Sequence, residues 1–504
     1  MTDWEKPSSA DEKKLCLQEI FESGQRNHHI SNTAYPIAHS QTWKPYRIGK
    51  QKYEQTISGA FSELPQIALY SHIPFCESRC YFCEYTVVGK SELHLTERYM
   101  QSLDQELALY SSILGPRELI GFDIGGGTPS FVDARLIDRH IQSVQNYFSL
   151  TEGFGISIET TPKIAASDPQ KIREYQASGI RRISMGIQVT QPDLLKILGR
   201  DANGTEQLDR AVENIRDAQF DRLNIDLMYG FAKQSLASWE ATLKYAIKLN
   251  PEYITLYRMR YKLTRISDQA SQVDLDQVIV QSRMAKEMLT SAGYWSNPGK
   301  NTFSKIANDT GTSAYLTSRV IQGSPYLGIG LGAQSFTNCT ISYNSGAIGK
   351  NLAPYFSALG CSELPIQDLY LLPRIQVMAK MVAVSFYFGE VNLSYFQAKF
   401  GIAFEEAYGD AVEFALKNGL MQYTDSKNGM EFRCNSNQHY GLHCSRCLSL
   451  TEKGAESFNG TIALFFAPSV QAYLIERDPT TAEDMHMNQR FAERIVSRSC
   501  QDGS

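Results

Sequence analysis

Cys76, Cys80 and Cys83 stand in one short run, Leu69-Tyr-Ser-His-Ile-Pro-Phe-Cys-Glu-Ser-Arg-Cys-Tyr-Phe-Cys83. The spacing is C-x3-C-x2-C. Cysteine thiolate is the soft ligand that iron–sulfur clusters and zinc select. Three thiolates from one loop can reach three corners of a [4Fe–4S] cube and leave the fourth iron with open positions. Such an iron can chelate a small molecule through an amino and a carboxylate group, and S-adenosylmethionine (SAM) offers both. An electron passed through the cluster can then break a carbon–sulfur bond and release a 5′-deoxyadenosyl radical. The alternatives are three reduced thiols or a zinc site, which would typically pair C-x2-C units and need a fourth ligand nearby.

A loop with this task needs a scaffold. From Leu64 to about Arg260 short apolar or β-branched runs alternate with amphipathic helices, the pattern of βα units closing a parallel sheet. Six strands are predicted, near Ile67–Ser71, Leu119–Ile124, Gly155–Glu159, Arg182–Gln188, Arg222–Met228 and Tyr253–Arg258. Met100, Leu103, Leu107, Tyr110 and Leu114 fall on one face of the first intervening helix. Asp168-Pro169 reads as an N-cap followed by proline at the first helical position, and Gly179 as the stop before the next strand.

The run Tyr70-x-His72-Ile-Pro-Phe-Cys-x3-Cys-Tyr-Phe-Cys83 resembles the cluster loop of the radical SAM superfamily. More narrowly, it resembles the branch of oxygen-independent coproporphyrinogen III oxidase, the HemN-like branch. The resemblance implies an α/β fold, a partial (β/α)6 radical SAM barrel with a C-terminal helical, winged-helix-like domain. It implies a [4Fe–4S] cluster on Cys76, Cys80 and Cys83, one or two molecules of SAM, and an electron donor such as flavodoxin or ferredoxin. The expected organisation is an N-terminal arm over 1–60, either packed across the barrel mouth or a solvated extension, and the barrel with a following glycine-rich segment over 61–345. A C-terminal domain follows over 368–466 and a tail over 467–504.

Each further motif lies at the C-terminal end of a predicted strand, where parallel barrels gather their chemistry. Gly126, Gly127 and Thr128 in Gly-Gly-Thr-Pro resemble the family's contact to the methionyl amino group of SAM. Glu159 could accept a hydrogen bond from a polar ligand or serve as a structural carboxylate at the rim. Gln188 and Arg200 match the family's Gln and Arg that hold SAM, and a guanidinium fork suits a carboxylate in a way that lysine cannot. Asp226 is a carboxylate inside an apolar strand, costly to bury unless paired. The resemblance gives it the ribose hydroxyls, and a structural salt bridge is the alternative. Tyr70 and His72 are expected to line the cluster as candidate catalytic residues. In the second glycine-rich stretch, Tyr326-Leu-Gly-Ile-Gly-Leu-Gly-Ala-Gln-Ser335, Ile329, Gly330 and Gln334 are candidates near a second SAM.

Outside the resemblance lies Cys434-x4-His439-x3-His443-Cys444-x2-Cys447. Cys444 and Cys447, with Cys434 or His443, could bind a second metal, or the segment could be an ordinary loop that carries thiols. The 504 residues have a net charge of −5, which gives no basic stripe for nucleic acid. No run of about eighteen apolar residues appears and the start is too polar for a signal peptide, so a cytoplasmic protein without a membrane partner is expected.

For the reaction, the leading expectation is a radical SAM enzyme that transfers a one-carbon unit from a second SAM to an aromatic or heteroaromatic small molecule. It rests on Glu84-Tyr85, which occupies the place where the oxidase carries a further Cys two residues after the third cluster ligand. The alternatives are oxidative decarboxylation of propionates on a tetrapyrrole, and a haem-binding chaperone of the same fold.

Overall fold

A computed structural model describes residues 15–26, 35–200, 204–261, 264–307, 309–347, 349–425 and 446–476. Six parallel strands carry the barrel: β1 Gln66–Ile73, β2 Glu118–Gly126, β4 Ile156–Thr160, β5 Ile180–Gln188, β6 Arg222–Tyr229 and β7 Tyr253–Arg258. A two-residue strand, β3 Ser149–Leu150, lies beside the start of β2. The six predicted strands are all present, each within a few residues of its expected bounds.

Side-chain alternation explains why these runs form a barrel wall. Ile158, Ile183, Ile225 and Ile254 are buried among the outer helices. Their neighbours Glu159, Ser184, Asp226 and Thr255 point the other way, so the interior face is polar. Outside, the helix Thr96–Leu114 buries Met100, Leu103, Leu107, Tyr110 and Leu114, the face predicted from their spacing. The Asp168 carboxylate accepts from the Lys171 amide at 2.9 Å, Pro169 opens the helix Pro169–Ala177, and Gly179 turns the chain at φ +91°.

The sheet continues past the barrel on both edges, which the sequence reading did not foresee. β8 Thr302–Ser304 pairs antiparallel with β7. On the other side β9 Tyr326–Ile329 runs parallel to β1, and β10 Gln334–Phe336, β11 Thr340–Asn344 and β12 Ile366–Leu371 follow antiparallel. The main path reads β12-β11-β10-β9-β1-β2-β4-β5-β6-β7-β8. The helix Ala314–Ile321 packs on the sheet where Gly121 leaves room, since a Cβ there would collide with the Tyr315 backbone nitrogen.

The C-terminal part carries the helices Arg374–Ser385, Leu393–Phe400 and Phe404–Lys417 and a three-stranded wing. In that wing β13 Glu390–Asn392 and β14 Met421–Asp425 flank β15 Arg446–Leu450. This is the helical, winged arrangement expected. Two expectations need correction. The described N-terminal residues do not pack over the barrel mouth. The helix Leu17–Arg26 packs on the C-terminal helix Phe458–Ala463 through Gly24 and Gly460, and Trp43 donates to Gln376 at 2.9 Å. The physical reason is apolar: Ile20, Tyr35 and Trp43 share one core with Ile462, Phe465 and Leu474. Nor does a tail begin at 467, because the helix Pro468–Glu476 buries Val470 and Leu474 in that core. No helix among the described residues is long and apolar enough to cross a membrane.

Candidate active site

The cluster loop leaves β1 after Ile73 and is held from below. Gly127 and Thr128 donate their amides to the carbonyls of Ile73 and Phe75, each at 2.8 Å, so the β2 glycine turn lies against the cysteine loop. The glycines are needed for that approach. A Cβ on Gly127 would meet Cys76 Sγ at 2.9 Å, and one on Gly126, whose φ is +127°, would meet Ile73 O at 2.8 Å. Gly125, which the sequence reading left out of the site, makes room for the Tyr70 ring and the Glu159 carboxylate, 3.0 and 3.2 Å from its would-be Cβ. Its signal was the three-glycine run itself.

The three cysteines are free thiols. Thr128 Oγ1 donates to Cys76 Sγ at 3.4 Å, and Arg200 Nε donates to Cys80 Sγ at 3.1 Å. Burial pushes the Cys76 thiol up to about 11 and raises Cys83 as well, so without a metal these sulfurs stay protonated. Among the described residues no three His, Cys, Asp or Glu side chains converge on one ion position. A cube asks for something else, each sulfur on its own corner iron, and three half-buried soft donors around one loop fit that need. The zinc alternative asks for convergence and a fourth ligand.

Around the loop, the SAM candidates meet. Arg200 also donates to the Gly186 carbonyl on β5 and lies over the Phe82 ring, so it bridges barrel and cysteine loop. Gln188 ends β5 in the left-handed region at φ +70°, with its Oε1 buried and without a partner. An orphaned acceptor on a strained backbone is what a ligand's donor would satisfy. The Gly126 amide donates to Glu159 Oε2 at 3.1 Å, and Asn224 Nδ2 donates to Asp226 Oδ1 at 2.8 Å. Burial, with Asp226 adding to it, pushes the Glu159 carboxyl up to about 8; burial pushes Asp226 up to about 6. Glu159 nevertheless keeps accessible surface, which faces the barrel interior, and water there works against its rise. Arg182, held by the hydroxyls of Ser157 and Ser184 at 3.2 and 2.8 Å, is the cation beneath Glu159, Asp226 and Asp123. The sequence reading missed its role because a strand arginine has no signature.

Other candidates are used by the fold. His72 Nε2 donates to the Thr86 carbonyl at 2.8 Å, and its Nδ1 accepts from the Tyr70 hydroxyl at 3.2 Å. Burial lowers this imidazole to about 4. It is a neutral brace for Tyr70, and both ring nitrogens are engaged. Ile329 is fully buried among the outer helices, and the Gly330 amide donates to Glu106 at 2.8 Å. Gln334 Oε1 accepts from the Tyr326 hydroxyl. Cys447 is fully buried on β15 of the wing, while Cys434, His443 and Cys444, like His439, lie outside the described residues.

Residues 70–246 match the radical SAM superfamily. The chain is 28% identical over 252 residues to the oxygen-independent coproporphyrinogen III oxidase of Escherichia coli K12, covering 49% of this chain and 54% of that one. It is 35% identical over 198 residues to the haem chaperone HemW of Buchnera aphidicola subsp. Schizaphis graminum, covering 39% and 51%. It thus spans about half the length of these curated relatives. The solved coproporphyrinogen III oxidase HemN of Escherichia coli, a radical SAM enzyme, superposes at a TM-score of 0.68 and 21% identity, over 86% of this chain and 96% of that one. That likeness gives the shared fold. The expected one-carbon transfer finds no support here, since these relatives are named as oxidases and a chaperone. By its cysteine loop, its barrel and these likenesses, the chain carries in residues 70–246 a region that matches the radical SAM superfamily, and it is similar to oxygen-independent coproporphyrinogen III oxidases and HemW haem chaperones.

Proposed function

We propose that this chain is a radical SAM oxidoreductase that removes a hydrogen atom from a propionate carbon of a tetrapyrrole substrate, which then releases carbon dioxide and gives up one further electron to a one-electron acceptor, leaving a vinyl group. The observation that carries the reading is the Arg200 guanidinium, which from the turn after the helix Pro192–Ile197 joins the Gly186 carbonyl on β5 to Cys80 and brings a carboxylate-binding fork to the cysteine loop. A [4Fe–4S] cluster on Cys76, Cys80 and Cys83 supplies, when bound, the electron that cleaves SAM to methionine and the 5′-deoxyadenosyl radical.

The chain's own residues do the rest. Arg200 takes the SAM carboxylate, the free Gln188 oxygen accepts from a donor of the cofactor, and Asp226 accepts from the ribose hydroxyls. Glu159 and Asp226, with Arg182 beneath them, set the charge facing a cationic cofactor. His72 fixes Tyr70 at the cavity wall. The substrate class comes from the named relatives, the coproporphyrinogen oxidases.

A second reading, haem binding without turnover, is favoured by the 35% identity to a haem chaperone and by Tyr85 in place of the oxidase's further Cys. The test is an anaerobic incubation of the reconstituted protein with SAM, dithionite and coproporphyrinogen III. The expected result is 5′-deoxyadenosine together with a porphyrinogen lighter by carbon dioxide and two hydrogen atoms for each propionate converted. Haem binding with no 5′-deoxyadenosine would select the chaperone. S-adenosylhomocysteine beside 5′-deoxyadenosine, with an intact propionate, would restore one-carbon transfer from a second SAM.

A further inference from the structure

Three phenols converge at the barrel mouth, and the SAM site uses none of them. Tyr85 stands two residues beyond Cys83, and Tyr257 near the end of β7. Tyr387 sits in the turn Phe386–Phe388 after the C-terminal helix Arg374–Ser385. Tyr387 lies near Tyr257 and near Thr302 on β8. Tyr85 and Tyr257 both sense Tyr387 and the Glu159 carboxylate through space, and Tyr257 senses Tyr85. The cluster loop, β4, β7 and the C-terminal part therefore face one space.

That space is open. Tyr85 leaves 61% of its surface accessible and Tyr257 37%, although each is enclosed by charged and phenolic neighbours from several elements. Rings with neighbours on several sides that still keep accessible surface can meet a ligand. The pose of Tyr85 is also fixed. Lys350 Nζ donates to the carbonyls of Glu84 at 3.2 Å and Tyr85 at 2.8 Å, and the Glu84 side chain pairs with Arg260. Two cations from separate elements thus pin the segment that presents the ring, which is preorganisation for binding.

Phenol faces suit aromatic rings edge-on or offset, and phenol and carboxylate oxygens accept from ring N–H groups. We propose that Tyr85, Tyr257 and Tyr387 form a clamp for an aromatic N–H ring of the substrate, a pyrrole, and that Tyr387 makes the C-terminal domain part of that site. The clamp rests on the tetrapyrrole reading above and names the surface that holds the ring.

The test is a fluorescence titration with coproporphyrin III, a stable tetrapyrrole, on the full chain and on Tyr85→Ala, Tyr85→Phe, Tyr257→Ala and Tyr387→Phe. Circular dichroism and thermal midpoint select the variants that fold. Tyr85→Ala should weaken binding about tenfold or more and Tyr85→Phe only about twofold, since the ring face carries the contact. Tyr387→Phe should weaken it about threefold through the lost hydroxyl. Unchanged affinity in both Tyr85→Ala and Tyr257→Ala would overturn the clamp and leave the enzymatic reading standing. A wild-type chain that forms 5′-deoxyadenosine from SAM but does not bind coproporphyrin III would overturn the clamp as a tetrapyrrole site. Wild-type binding that the Tyr→Ala variants lose, with no 5′-deoxyadenosine formed, would support the clamp and overturn the enzyme.

Discussion

Gln188 pairs a left-handed backbone with a buried, unpartnered oxygen, and Arg200 spans from the Gly186 carbonyl to Cys80 Sγ. Both features concern the direction of donors and acceptors, so conservative substitutions should be felt. Arg200→Lys keeps the charge and loses the fork; we expect SAM affinity to fall about tenfold by equilibrium binding, with secondary structure unchanged. Glu106 is the other telling residue. It is fully buried and accepts from the Gly330 amide at 2.8 Å, from Asn344 Nδ2 at 2.6 Å and from the Tyr355 hydroxyl at 2.6 Å. Burial outweighs these bonds and raises its carboxyl from 4.5 to about 7. The folded chain thus holds this proton more tightly than the unfolded chain does. Its stabilising contribution is complete below pH 4.5 and is lost as pH rises to about 7. Between pH 5 and 7.5 the wild-type thermal midpoint should fall by roughly 3 °C more than that of Glu106→Gln. A parallel course for the two proteins would show that Glu106 does not titrate in this window.

Elements meet at one buried clamp. Ser71 on β1, His140 on the helix Ala134–Tyr147 and Asp104 on the helix Thr96–Leu114 form a chain. Ser71 Oγ and His140 Nε2 are 2.9 Å apart, and His140 Nδ1 and Asp104 Oδ1 2.6 Å apart. The residue types are those of a nucleophile and its relay, yet Ser71 and His140 are fully buried, so the chain fixes two helices to the cluster strand. His140→Ala should destabilise the fold by about 2–3 kcal/mol in denaturant unfolding, because it strands a hydroxyl and opens a cavity. The six barrel strands were legible because isoleucines and leucines alternate with polar residues over runs such as Ile156–Thr160 and Arg222–Tyr229. The strands β9 to β12 were not. They are three to six residues long, and β10 and β11 are rich in Ser, Thr, Gln and Asn, so only the exposed edge of β1 decides that they pair.

Across the whole molecule, the N-terminal helix and the C-terminal domain share a core. A Cβ on Gly24 would come within 2.8 Å of both Ala463 Cβ and Asn459 O, so the two helices approach backbone to backbone. Gly24→Val cannot be accommodated without separating them. Limited proteolysis should then cut near residues 15–26 at least about tenfold faster than in the wild type, because the segment loses its docking surface. An unchanged cleavage rate would show that the contact adds no protection. The same packing carries Tyr387 to the barrel mouth from 130 positions beyond Tyr257 in sequence.

The sequence by itself determined the cysteine run, the strand order of the barrel and the placing of Glu159, Gln188 and Asp226 on its strands. Those features are local: cysteine spacing, residue alternation and a motif at each strand end are written within a few positions of one another. Only the tertiary structure decided how the side chains are employed. It turned His72 into a brace for Tyr70 and gave the Gly330 amide to Glu106. It set Arg182 beneath three carboxylates and brought Tyr85, Tyr257 and Tyr387 near one another. These outcomes depend on which distant partner fills a buried donor or acceptor, and that is fixed by packing rather than by spacing.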